Sequence, residues 1–157
     1  MANTYSQIYI QIIFAVQNRR ALIGENWEED LYKYISGIIE NKGQKTLAIN
    51  GTSDHIHILI GMKPTCCLSD LVREIKKSST AFIKNQKFIP FDFRWQEGFG
   101  AFSYSHSQFS NVIKYINNQK EHHKKKTFQE EYISFLEAFD IDYNEKYVFK
   151  QLINKGK

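Results

Sequence analysis

The sequence predicts an α+β fold: a ferredoxin-like βαββαβ antiparallel sheet with helices on one face and a C-terminal helical extension. Three observations carry that expectation. Apolar residues alternate in the first segment, two later segments repeat at helical spacing, and short β-prone runs flanked by turn residues lie between them.

Across residues 5–16, Ile8, Ile10, Ile12, Phe14 and Val16 take alternate positions, the period of a strand with one buried face. Asn18, Arg19 and Arg20 end that pattern, and Trp27, Leu31, Tyr34, Ile35, Ile38 and Ile39 then recur at helical spacing up to Gly43. Residues 46–50 and 55–60 flank Asn50-Gly51 and Ser53-Asp54, which suit a tight turn, so the two segments read as a hairpin. After Pro64, Ser69 is a candidate cap for a helix to about Asn85, with Leu68, Leu71, Val72, Ile75, Phe82 and Ile83 on one side. Residues 91–95 and 101–104 read as extended, separated by Gly98 and Gly100. A helix over about 107–124 carries Phe109, Val112, Ile113 and Ile116, a shorter one spans 128–139, and an irregular tail follows.

The 157 residues fit a single domain, 1–157, with room for one sizeable core, and neither repeats nor linkers divide them. The chain is 42% hydrophobic and 15% aromatic, without the roughly 18 to 20 apolar residues in a row that a membrane span needs. Its first residues lack the features of a secretory signal, so a cytoplasmic protein with no membrane partner is expected. Cys66 and Cys67 are adjacent, a geometry that disfavours both a mutual disulfide and a shared tetrahedral metal site. The net charge of +4 permits nucleic-acid binding without requiring it.

The chemistry concentrates in two places. In Asp54-His55-Ile56-His57-Ile58-Leu59-Ile60 the histidines are two apart, so on a strand both imidazoles leave one face and the isoleucines leave the other. Tyr115 and Gln119 are four apart, about 40° around a helix, with His122 on the same stripe. Two imidazoles and an amide oxygen leave open coordination positions, which suit Mg²⁺ or Mn²⁺ bridging to phosphate oxygens. A phenol of ordinary pKa near 10 is a poor nucleophile at neutral pH, and a neighbouring cation helps it lose its proton. Taken singly, these residues read equally well as a packed histidine pair, a core aromatic and a solvated amide.

The His-Ile-His segment resembles the His-hydrophobic-His signature of the HUH nucleases. The stretch from Trp95 to Tyr104, together with Tyr115-Ile-Asn-Asn-Gln119, looks like the single-tyrosine insertion-sequence transposases, and the likeness runs along nearly the whole chain. It implies that Tyr115 is the nucleophile and that His55, His57 and Gln119 are the metal ligands. It implies further that single-stranded DNA with hairpin ends is the substrate, that a 5′-phosphotyrosine link forms and a 3′-hydroxyl is freed, and that homodimers exchange tyrosine helices. No small-molecule substrate is expected.

Arg73, Lys76, Lys77, Lys84 and Lys87 fall within roughly 100° of the Ser69 helix, opposite its apolar stripe. This basic ridge, with Arg19, Arg20, Lys120 and the run Lys124-Lys125-Lys126, is the candidate contact for the DNA backbone, or else simply a solvated face. His106, His122 and His123 receive no role. Two rivals remain open: another HUH endonuclease, such as a relaxase, replication initiator or domesticated relative, and a catalytically silent nucleic-acid-binding module of the same fold.

Overall fold

Alternation along β1 (Tyr9–Ala15) and β3 (His55–Gly61) sorts their side chains onto two faces, and these strands form the centre of the sheet. In the computed structural model, which describes residues 4–144, β2 (Lys45–Gly51) pairs with β3 and β4 (Gly100–Tyr104) pairs with β1. The order β2-β3-β1-β4 is antiparallel throughout, as the expected ferredoxin-like arrangement requires.

On the first face Ile12, Phe14, Ile56, Ile58 and Ile60 pack against α1 (Glu28–Asn41) and α2 (Leu68–Gln86). The helices contribute Leu31, Ile35 and Ile39 from α1 and Leu71, Val72, Ile75 and Ile83 from α2. The second face is covered by α3 (Phe109–Asn117), α4 (Gln119–His122) and α5 (Phe128–Ala138). The C-terminal extension thus folds across the sheet rather than away from it.

Three local expectations change. Residues 91–95 do not make a strand: only a single bridge joins Trp95 to Val16. There the indole is edge-on to Phe14 at 4.7 Å and donates to Ser79 Oγ at 2.9 Å, so side-chain burial rather than a ladder sets this segment. Ser69 is not the cap of α2, which begins at Leu68 with no side-chain cap and ends at Lys87 in the left-handed conformation. The helix expected over 107–124 is interrupted. A 3₁₀ turn (His106–Gln108) leads into α3, and Asn118 (φ −102°, ψ 18°) separates α3 from α4. The cause is Asn50, whose Nδ2 donates to the carbonyls of Ile116 at 3.0 Å and Asn117 at 3.1 Å and so satisfies the end of α3.

The irregular tail expected after residue 139 is seen as non-helical chain over residues 140–144, and residues 145–157 lie outside the described residues. Among the described residues no helix is long and apolar enough to cross a membrane.

Candidate metal and nucleophile site

His55 and His57 are both fully buried on the second face of the sheet, enclosed by α3, α4 and α5. Each ring is oriented from behind. Asp54 Oδ1 lies 2.7 Å from His55 Nδ1, and a carboxylate there can only accept, so Nδ1 carries the proton. Gln11 donates through Nε2 to the Tyr104 hydroxyl at 2.8 Å, which turns its Oε1 to accept from His57 Nδ1 at 2.7 Å. Both Nε2 atoms are therefore left with free lone pairs, the form in which imidazole binds a cation.

Those lone pairs face other acceptors. His55 Nε2 is 3.2 Å from Gln119 Oε1 and 3.6 Å from Glu131 Oε1, while His57 Nε2 is 3.0 Å from Glu131 Oε1. Gln119, fully buried at the start of α4, donates its amide N–H to Glu131 Oε2 at 3.2 Å, which fixes its oxygen toward His55. A single proton on Glu131 relieves its 3.0 Å contact with His57 Nε2 and leaves the 3.2 Å contact between His55 Nε2 and Gln119 Oε1. A divalent cation between the groups relieves both, so the residues present fit the metal that the sequence implies.

Burial holds His57 well below the ordinary imidazole pKa, aided by the neighbouring His55 and His122, and pulls His123 down to about 3 for the same reason. Neutral imidazoles are the ligating form. Burial also pushes the Glu131 carboxyl up to about 7, against the opposing pull of His55.

Tyr115 sits one turn before the helix break, half-buried, with its ring edge-on to His57 of the same chain at 5.8 Å between centroids. It also meets His122 at 5.1 Å and Phe135 at 5.8 Å. Two shallow cavities of about 250 and 270 Å³ open on either side of the phenol, one toward Glu131 and Ser134, the other toward Gln11 and Gln108. The sequence-predicted set of His55, His57, Tyr115 and Gln119 is thus brought together in one chain.

The basic candidates scatter. Arg19 lies near Asp54 at the His55 end of the sheet, and Arg20 stacks over Phe91 at 4.8 Å. Arg73, Lys77 and Lys84 project from the outer side of α2, across the sheet from the imidazoles. Lys76 is instead tied to the carbonyls of Gln96 at 2.8 Å and Gly98 at 2.5 Å. Lys120 is likewise engaged, with Glu28 at 3.0 Å and Asn50 at 3.1 Å.

Sequence reasoning passed over Gln11, His123 and Glu131. The signal for Glu131 was present: Phe128, Phe135 and Ala138 lie three back, four on and seven on from it, so a carboxylate interrupts an apolar stripe. Gln11 looked like a solvent-facing residue of an alternating strand, because a second buried face is invisible until the extension is known to cover it.

The fold and the His/Gln/Tyr cluster define an α+β domain with one candidate metal and nucleophile site. The family model of the IS200-like transposases matches residues 4–119, and the chain belongs to that family. Among solved structures, it is similar to a Deinococcus radiodurans R1 protein described as a transposase, at 19% identity and TM-score 0.60, over 76% of this chain and 95% of that one. It is also similar to a REP-associated tyrosine transposase bound to a REP hairpin, at 17% identity and TM-score 0.59, over 78% of this chain and 73% of that one. No curated protein sequence matches the chain.

Proposed function

We propose that the chain cleaves and rejoins single-stranded DNA at the ends of an insertion element through a 5′-phosphotyrosine intermediate on Tyr115. His55, His57 and Gln119 would hold Mg²⁺ or Mn²⁺. The observation that carries the reading is the phenol ring 5.8 Å from the ring of His57, whose Nε2 is left unprotonated by Gln11. In the step proposed, Tyr115 Oη bonds to phosphorus, the bond to the 3′ oxygen breaks, and that oxygen leaves as a hydroxyl after taking up a proton. A bound cation would supply positive charge to the phosphate oxygens and lower the proton affinity of the phenol.

The chain's own residues do the rest. Asp54 and Gln11 hold the two ring tautomers, and Phe128 and Phe135 wall the site from water. Arg19 and Arg20, in the turn beyond β1, are the proposed backbone contacts nearest the site, with Arg73, Lys77 and Lys84 for DNA that wraps the far face. Lys76 and Lys120 would reach phosphate only by leaving their present partners. The hairpin bound by the REP-associated relative supports a hairpin-ended substrate here. Action in the cytoplasm, as a homodimer, belongs to the same reading.

The test uses single-stranded and duplex oligonucleotides from the element ends, with Mg²⁺ or Mn²⁺, on a denaturing gel. A covalent adduct with single strands alone, lost in Tyr115→Phe while hairpin binding survives, is expected. Binding without any adduct in the wild type would leave the silent binding module as the correct account. Mixing Tyr115→Phe with His57→Ala chains tests the exchange of tyrosine helices: restored cleavage means that the tyrosine acts across a dimer, and no restoration means that it acts within one chain.

A further inference from the structure

Four groups from three segments converge in the interior of the second face: His55 and His57 on β3, His123 just after α4, and Glu131 on α5. Their potential ligand atoms all lie within 4.8 Å of one another, and three of the four residues are buried. Glu131 Oε1 is the common point, 2.9 Å from His123 Nε2, 3.0 Å from His57 Nε2 and 3.6 Å from His55 Nε2. Bonds of about 2.0–2.2 Å to one cation separate neighbouring ligand atoms by about 3.0–3.5 Å. The observed spacings bracket that range.

We propose that His123 and Glu131 are metal ligands, completing with His55 and His57 a three-imidazole, one-carboxylate site that selects a first-row transition ion over Mg²⁺. The inference rests on the metal-dependent reading above and extends it to two residues beyond position 119, where the family match ends. It also changes the expected metal. Mg²⁺ favours an all-oxygen shell and keeps its waters, whereas imidazole-rich sites favour Mn²⁺, Co²⁺ and Zn²⁺ in rising order of affinity.

A purely structural role for Glu131 fits less well. Carboxylates are rarely fully buried unless paired, yet Glu131 is only 2% exposed and no lysine or arginine pairs with it among the ion pairs of the described residues. Its neighbours are His55, His57, His122, His123 and the Gln119 amide. With Asp54 and Gln11 fixing the protons of His55 and His57 on Nδ1, neither of those rings can donate to the carboxylate. Its remaining neighbours within hydrogen-bond distance, the Gln119 amide at 3.2 Å and His123 Nε2 at 2.9 Å, are neutral groups, so the buried carboxylate lacks an offsetting positive charge that a cation would supply. The α5 capping box, Thr127 with Glu130, fixes the start of the helix that delivers it.

The experiment titrates full-length, chelator-stripped protein with Co²⁺, Zn²⁺, Mn²⁺ and Mg²⁺ separately, following Co²⁺ by its visible d–d absorption and all four by calorimetry. One Zn²⁺ or Co²⁺ per chain is expected, held on the order of 10³-fold more tightly than Mg²⁺. Glu131→Gln and His123→Ala should each weaken it by about 10–100-fold and alter the Co²⁺ spectrum. X-ray absorption of the Zn²⁺-loaded wild type, which needs no variant to fold, should count three imidazoles. Two imidazoles there, or unchanged affinity in both variants while His57→Ala abolishes binding, overturns the proposal and leaves the His55, His57 and Gln119 site standing. Failure of every ion to bind, in a wild type that nonetheless cleaves DNA, removes both.

Discussion

Along β3, Ile56, Ile58 and Ile60 meet α1 and α2, whereas His55, His57 and Leu59 meet α3, α4 and α5. The first contact is almost wholly apolar, held by close packing with a buried hydrogen bond from Trp95 to Ser79. The second buries Gln11, His55, His57, Gln119 and Glu131, and each must find a hydrogen bond, an opposite charge or a cation. One strand therefore packs the core with one set of alternate residues and carries the candidate site on the other. The histidines are held rigidly because Ile56 between them, and Ile58 and Leu59 after them, are fully buried in the core.

Substitutions at adjacent positions test that division. Ile58→Ala should cost about 2–5 kcal/mol in chemical denaturation and leave the metal preference of the surviving folded protein unchanged. His57→Ala, one residue away, should abolish metal binding and cleavage with a much smaller loss of stability in the metal-free protein. Equal destabilisation by the two would mean that the second face is simply more core. Next in size is Gln11→Leu, which removes the acceptor that fixes the His57 tautomer. It should weaken metal binding by about 10–100-fold in calorimetry while the fold persists by circular dichroism.

Two smaller effects sharpen the contrast. Ser79→Ala leaves the buried indole N–H of Trp95 without its acceptor on the first face and should cost about 1–3 kcal/mol of stability, with cleavage intact. Thr127→Ala removes the N-cap of α5 and should cost about 1 kcal/mol, read as earlier hydrogen exchange in α5 than in α2. Gly100 explains how closely that helix seats. A Cβ there would lie 2.8 Å from Tyr132 Cε1, so β4 admits the α5 ring only because the side chain is absent.

The first face was legible in the sequence because its rules are periodic. Alternation in residues 8–16 and helical spacing in residues 27–39 each reappear as β1 and α1, and turn residues marked the β2–β3 hairpin. The His55/His57 pair was legible for the same reason, since a period of two puts both rings on one side. What escaped depends on contacts between distant segments. The break at Asn118 is set by Asn50, 68 positions away in the chain, and nothing local to 107–124 announces it. Likewise, residues 91–95 have strand-like composition, but Phe93 and Trp95 are buried, Trp95 beside Phe14 and Ser79, and only one bridge forms. Glu131 and His123 join the His55/His57 cluster only because the extension folds back over the sheet.

The central claim is that the phenol of Tyr115 and the paired imidazoles of His55 and His57 work on one phosphate. The most direct measurement is mass spectrometry of the proteolysed DNA adduct formed on a single-stranded hairpin substrate with Mn²⁺. A nucleotide carried through its 5′ phosphate on the peptide containing Tyr115 is predicted, with no adduct in His57→Ala. An adduct on any other residue, or an undiminished Tyr115 adduct without His57, would contradict the account.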